Sequence, residues 1–166
     1  LKSLRLDHLW WIVTPGNPLK AGRDLAPLAE RMDACRALIG GDPRMVATSF
    51  ETELGNAYSV ETIAFLQGRY PATHFVWVMG ADNLATFHRW RRWREIATRL
   101  PIAVVDRPGW HLAAIASPAA RALAPHRIRT SSARALATLP PPAWTFLSGP
   151  LSPASSTALR AAKYAI

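Results

Sequence analysis

One cysteine, Cys35, in 166 residues leaves no partner for an internal disulfide and no set of thiolates for a metal. Its place in an apolar helical stripe predicts a buried small hydrophobe. No apolar run approaches the length of a membrane-spanning helix, and no signal-peptide pattern opens the chain, so a soluble cytoplasmic protein is the default expectation. Acidic residues are scarce: 11 Asp and Glu face 20 Lys and Arg, a formal charge of +9. That excess favours anionic partners. Only residues 89–94 concentrate it, with arginines interleaved with Trp90 and Trp93. With 49% apolar and 19% charged residues, the composition is that of a globular chain, most simply one domain over 1–166.

Short apolar runs alternate with helical patterns. His8 to Val13 reads as a buried strand, 44–49 as a short one, and Phe75-Val76-Trp77-Val78-Met79 as a central strand covered on both faces. Ile102 to Val105 and Trp144 to Leu147 complete the set. Between them, Leu25, Leu28, Met32, Cys35 and Ile39 recur at helical spacing and Gly40-Gly41 closes that helix. Ser59 is the expected N-cap of a helix to about Gln67 with Glu61 in its first turn, and residues 51–57 read as a polar loop. Helical segments are also expected over 84–87 and 93–100. Residues 110–142 carry little signal beyond one helix near 118–124 and read as a variable excursion. Strands alternating with helices predict an α/β, Rossmann-like, doubly wound parallel sheet.

Three strings fall where such sheets bind ligands, at strand C-termini. Thr14-Pro15-Gly16-Asn17-Pro18-Leu19-Lys20 follows the first strand and Gly80-Ala81-Asp82-Asn83 the central one. Ala154-Ser155-Ser156-Thr157-Ala158-Leu159-Arg160 opens a short helix near the end. Hydroxyls and free N–H groups at a helix start suit a phosphate, and Arg160 shares a helical face with Ser156. The same string also suits an ordinary N-cap with a solvated arginine. Likewise, Asp82 suits a cap, Arg107 a turn, Tyr58 half-buried packing, and Trp90 with Trp93 a core-facing pair.

Taken together, the three strings resemble the bacterial nicotinate-nucleotide adenylyltransferases, within the nucleotidyltransferase α/β phosphodiesterase superfamily. The resemblance runs from about Leu4 to the C-terminus and is weakest over 110–142. It implies an enzyme of NAD biosynthesis. Such an enzyme transfers AMP from ATP to nicotinate mononucleotide by direct attack, without a covalent intermediate, and Mg²⁺ is carried in with ATP. It further implies Lys20 and Arg160 as catalytic phosphate-holding residues. Gly80, Asp82, Arg107, Ser155, Ser156 and Thr157 would contact ATP, and Tyr58, Ser59, Trp90 and Arg91 the mononucleotide. No protein metal site, nucleic acid or membrane partner is implied; a homo-oligomer is compatible.

The family also opens with a strand and a Gly-rich G-x-F-D/N-P-x-H-x-G-H loop. Here the histidines are His8, His74, His88, His111 and His126, and none lies in H-x-G-H. The expectation is a chain without its first β–α unit, inactive or nearly so alone, and poorly stable. Two other readings compete: another transferase of the superfamily, such as pantetheine-phosphate adenylyltransferase, and a non-catalytic nucleic-acid-binding module using residues 89–94.

Overall fold

The computed structural model describes residues 1–16, 26–55 and 58–149. Among these residues five four-residue strands, all parallel to their neighbours, form two sheets: β1 (Leu9–Ile12) with β2 (Met45–Thr48), and β3 (Trp77–Gly80), β4 (Ile102–Val105) and β5 (Trp144–Leu147) in that order. Six α-helices are interspersed among the described residues: α1 (Leu28–Ile39), α2 (Ser59–Arg69), α3 (Ala81–Thr86), α4 (Trp93–Arg99), α5 (His111–Ile115) and α6 (Pro118–Ala122). The α/β class and the parallel pairing are as the apolar runs predict.

The registers Trp77–Ile102–Trp144 and Met79–Val104–Phe146 put large side chains on one face of the three-stranded sheet. These pack with Val60, Ile63, Leu84, Phe87, Trp93 and Ile96 into the main core. The opposite face is built from smaller groups. Ala103 and Ala143 meet Leu4, Ala133 and Leu136, so short 3₁₀ segments, Lys2–Leu4 and Thr130–Thr138, cover it. Helical cover on both faces is the doubly wound arrangement.

Several local expectations need correction. Tyr58, not Ser59, is the N-cap of α2; Ser59 is its first helical residue, and Tyr58 makes no side-chain cap bond. The helix after β3 begins at Ala81 with Gly80 as N-cap, earlier than expected, and continues as a 3₁₀ turn, Phe87–Arg89. Residues 110–142 are no loose excursion: they hold α5, α6 and the Thr130–Thr138 segment, and bury Ala114, Ala119, Ala120, Ala133 and Leu136. Cys35 is half-buried rather than buried, and its partial burial raises the thiol pKa. Gly40 closes α1 as predicted, in the left-handed conformation at φ 61°. The turn into β2 is held by Arg44 on both oxygens of Asp42, whose pKa is lowered to about 2.

The two sheets differ in support. β4 is paired on both sides and Ile102, Ala103 and Val104 are buried. Among the described residues β1 and β2 pair only with each other, and β1 is not the buried strand expected, since Trp10 and Trp11 are exposed, as is Val46 of β2. A two-stranded sheet is marginal by itself. Amides of β1 and β2 are therefore expected to exchange with deuterium at least about tenfold faster than those of β4. Equal protection would show that the two sheets open as one unit.

Candidate functional site

The register Gly80–Val105–Leu147 aligns the C-terminal ends of β3, β4 and β5. The residues just beyond those ends, Asp82 and Arg107, meet there. Arg107 Nη1 donates to Asp82 Oδ2 at 3.1 Å. Asp82 lies in the first turn of α3, where backbone N–H groups favour a carboxylate. Its other oxygen, Oδ1, is buried and has no hydrogen-bond partner among the described residues. A buried acceptor without a donor is costly in a folded protein and points to a donor supplied from outside. Gly80 makes the arrangement possible. A Cβ there would fall inside van der Waals contact of Asp82 Oδ1 and 3.2 Å from Arg107 Cδ. Gly80, Asp82 and Arg107 thus form one constellation, with a bare backbone floor, an acceptor and a cation.

A second group lies at the start of α2 and in the segment after α3. The Arg91 guanidinium stands over the Tyr58 ring, 4.5 Å from its centroid, and its Nη1 is 3.5 Å from Glu61 Oε1. Trp90 is half-buried and packs edge-on against Phe87 at 5.4 Å; Trp93, three residues further on, packs on it at 5.7 Å and belongs to the core. The pair is therefore divided, with Trp93 structural and Trp90 in an extended conformation at the edge. Between them Arg92 adopts φ 52°, a left-handed conformation unfavourable for a side-chain-bearing residue, with an ion pair to Glu95 at 2.5 Å. In residues 89–94 Arg91, Arg92 and Arg94 are engaged by Glu61, Glu95 and the Trp93 ring respectively.

Sequence reasoning passed over Glu51. It is buried in the loop after β2, where its carboxylate accepts the Thr62 hydroxyl at 2.6 Å, fastening the loop ahead of Tyr58 to α2. The available signal was Phe50 beside it and a threonine one turn into the next helix. It also passed over the pairing of Asp106 with His111 at 2.8 Å. Lys20, Ser155, Ser156, Thr157 and Arg160 lie outside the described residues. Among the described residues no cluster of three or more His, Cys, Asp or Glu fits a metal ion, and no helix is long and apolar enough to cross a membrane.

The family model described as cytidylyltransferase-like matches residues 1–162. A protein of Methylorubrum extorquens (strain PA1) named "Probable nicotinate-nucleotide adenylyltransferase" is 56% identical over 160 residues, which are 96% of this chain and 86% of that protein. Proteins of the same name from Rhizobium johnstonii and Brucella abortus (strain 2308) are 51% and 50% identical over 96% of this chain, covering 80% and 82% of their own lengths. An α/β fold with parallel strands, a bare glycine, a carboxylate and an arginine at adjacent strand ends, and these likenesses all converge: the chain is a transferase of the cytidylyltransferase-like family.

Proposed function

We propose that this chain joins the adenylyl group of ATP to nicotinate mononucleotide, giving nicotinate adenine dinucleotide and pyrophosphate. An oxygen of the mononucleotide 5′-phosphate attacks the α-phosphorus of ATP in line. The bond to the bridging oxygen of the β-phosphate breaks, and its electron pair leaves with pyrophosphate. No protein nucleophile is consumed, so the chain's task is positioning and charge stabilisation.

The observation that carries this reading is the buried, unpartnered Oδ1 of Asp82 beside Gly80 and Arg107. A ribose hydroxyl is a donor of the right kind for that oxygen, and an arginine beside it suits the nucleotide's negative charge. Tyr58, Ser59, Trp90 and Arg91 form the proposed pyridine side, where flat aromatic faces and a cation suit a ring bearing a carboxylate. The names of the relatives support the same pair of substrates. Lys20 and Arg160 as catalytic phosphate-holding groups, with Ser155, Ser156 and Thr157 on the ATP phosphates, rest on the sequence pattern alone. Mg²⁺ would enter with ATP, which carries its own oxygen ligands. The reading takes the chain as one domain acting in the cytoplasm.

Replacing Trp90 with Ala in the full-length enzyme is expected to raise the KM for nicotinate mononucleotide about tenfold while the KM for ATP moves by about twofold or less. An equal rise in both would remove Trp90 from the pyridine side. Adenylylation of pantetheine phosphate instead, or oligonucleotide binding that falls steeply with salt, would replace the proposal outright.

A further inference from the structure

Neither Asp106 nor His111 has a part in the proposed reaction, yet their geometry is specific. Arg107 is carried by the short connection between β4 and α5, a turn in which Gly109 adopts φ 76°. Backbone bonds alone restrain it lightly: Asp106 N–H to the Leu147 carbonyl at 2.9 Å and Trp110 N–H to the Arg107 carbonyl at 3.1 Å. The Asp106 carboxylate adds the missing restraint. Oδ1 accepts the backbone N–H of Arg107 at 2.8 Å, and Oδ2 accepts Nδ1–H of His111 at 2.8 Å. The Asp106 side chain is only 10% exposed, while the His111 ring that meets it is about half exposed. One carboxylate thereby ties the first residue of the turn to the first residue of α5. The imidazole is held in turn by edge-on contact with Phe146 of β5, 4.9 Å between ring centres. The turn is fixed at both ends to the strand beside it.

We propose that Asp106 and His111 form a positioning pair that aims Arg107 at the bound nucleotide. The inference rests on the proposed reading of Gly80, Asp82 and Arg107 as the ATP side. Arginine has many rotamers, and freezing it costs affinity unless its backbone is already placed. The bond from Oδ1 to the Arg107 N–H fixes where that side chain starts, and its guanidinium then reaches Asp82 at 3.1 Å. With the carboxylate released, the turn loses its closure and Arg107 its aim.

The experiment uses the full-length enzyme with KM for ATP, KM for nicotinate mononucleotide, kcat and Tm measured together. His111→Phe keeps a ring against Phe146 but has no hydrogen to give Asp106. It is expected to raise the KM for ATP about fivefold to tenfold, with kcat and the other KM changed about twofold or less. His111→Asn, whose amide nitrogen reaches nearly as far as Nδ1, is expected to restore most of the loss. Asp106→Asn, which has one carbonyl oxygen for two donors, should act in the same direction and add little on top of His111→Phe, because both break one linkage. That second variant carries the test if His111→Phe does not fold. The proposal is overturned if the ATP KM is unmoved, if the two substitutions add fully, or if both KM values rise alike with a fall in Tm that His111→Asn leaves uncorrected. Arg107→Ala separates this from the larger reading. If it weakens ATP while the His111 and Asp106 variants do not, only the positioning pair is wrong; if it has no effect on ATP, the ATP side itself is misplaced.

Discussion

Replacing Phe87 with Ala is expected to destabilise the protein by about 3–5 kcal/mol, the usual cost of emptying a buried aromatic site. Phe87 has no solvent exposure and is the largest side chain buried to that degree. Its ring is met edge-on by Trp90 and Trp93, at 5.4 and 5.7 Å, and the main core surrounds it. Edge-to-face contacts add about 0.5–1.5 kcal/mol beyond burial, so the loss belongs at the upper end of the range. The 3₁₀ turn Phe87–Arg89 that carries it also delivers Trp90 to the edge of the fold. Whatever protein remains folded should therefore bind nicotinate mononucleotide less well, while Asp82 and Arg107, anchored on other elements, keep their pairing. Denaturant unfolding reads the first effect and substrate titration the second. A destabilisation below about 1 kcal/mol would mean that the two tryptophans close over the space.

The second large effect is expected where stability hardly changes. Gly80→Ala places a methyl group against Asp82 Oδ1 and 3.2 Å from Arg107 Cδ. The backbone raises no objection, because Gly80 has φ −77° and ψ 159°, ordinary extended values for alanine. Both obstructing atoms belong to flexible side chains, so the fold yields by turning them aside. The expected cost in folding free energy is under about 1 kcal/mol. The constellation itself is lost, since the carboxylate leaves its position and the arginine leaves with it. Losing a charge-assisted hydrogen bond typically costs about 1.5–3 kcal/mol, so the KM for ATP should rise between about tenfold and a hundredfold. An unchanged KM for ATP in a normally folded Gly80→Ala protein would show that the nucleotide does not use Asp82.

The two substitutions also mark what was legible in the sequence. Strand β4 was readable because a strand covered on both faces is apolar along its length, as Ile102-Ala103-Val104 is, whereas β3, expected to be central, lies at the edge of its sheet among the described residues and leaves Val78 exposed. Gly80 and Asp82 stood out because they interrupt such a run. Residues 110–142 were opaque for the opposite reason. Their buried positions are mostly alanines, such as Ala114, Ala119 and Ala133, which give little hydrophobic contrast while allowing close approach. The segment Thr130–Thr138 is moreover a 3₁₀ helix, whose three-residue repeat departs from the α-helical period sought in the sequence. Glu51 looked like any solvated acid in a polar loop; only the fold supplies the hydroxyl of Thr62 that makes its burial tolerable. The link between Asp106 and His111 depends on the left-handed turn at Gly109, which brings residues five apart face to face.

The guanidinium resting on Tyr58 has a thermodynamic consequence on the proposed reading. A pyridine ring that settles against Tyr58 arrives by exchange rather than by filling a vacancy, because Arg91 must first leave. At an exposed site a cation–π contact holds about 0.5–1 kcal/mol and a surface ion pair such as that with Glu61 about 0–1 kcal/mol. Together they amount to at most about a thirtyfold weakening of the incoming ligand. A ring bearing a carboxylate returns part of it, since the displaced cation finds a new anion close by; a ring bearing a carboxamide returns none. Arg91 thereby works as a small standing charge against neutral rings, levied before any contact with the ligand is made.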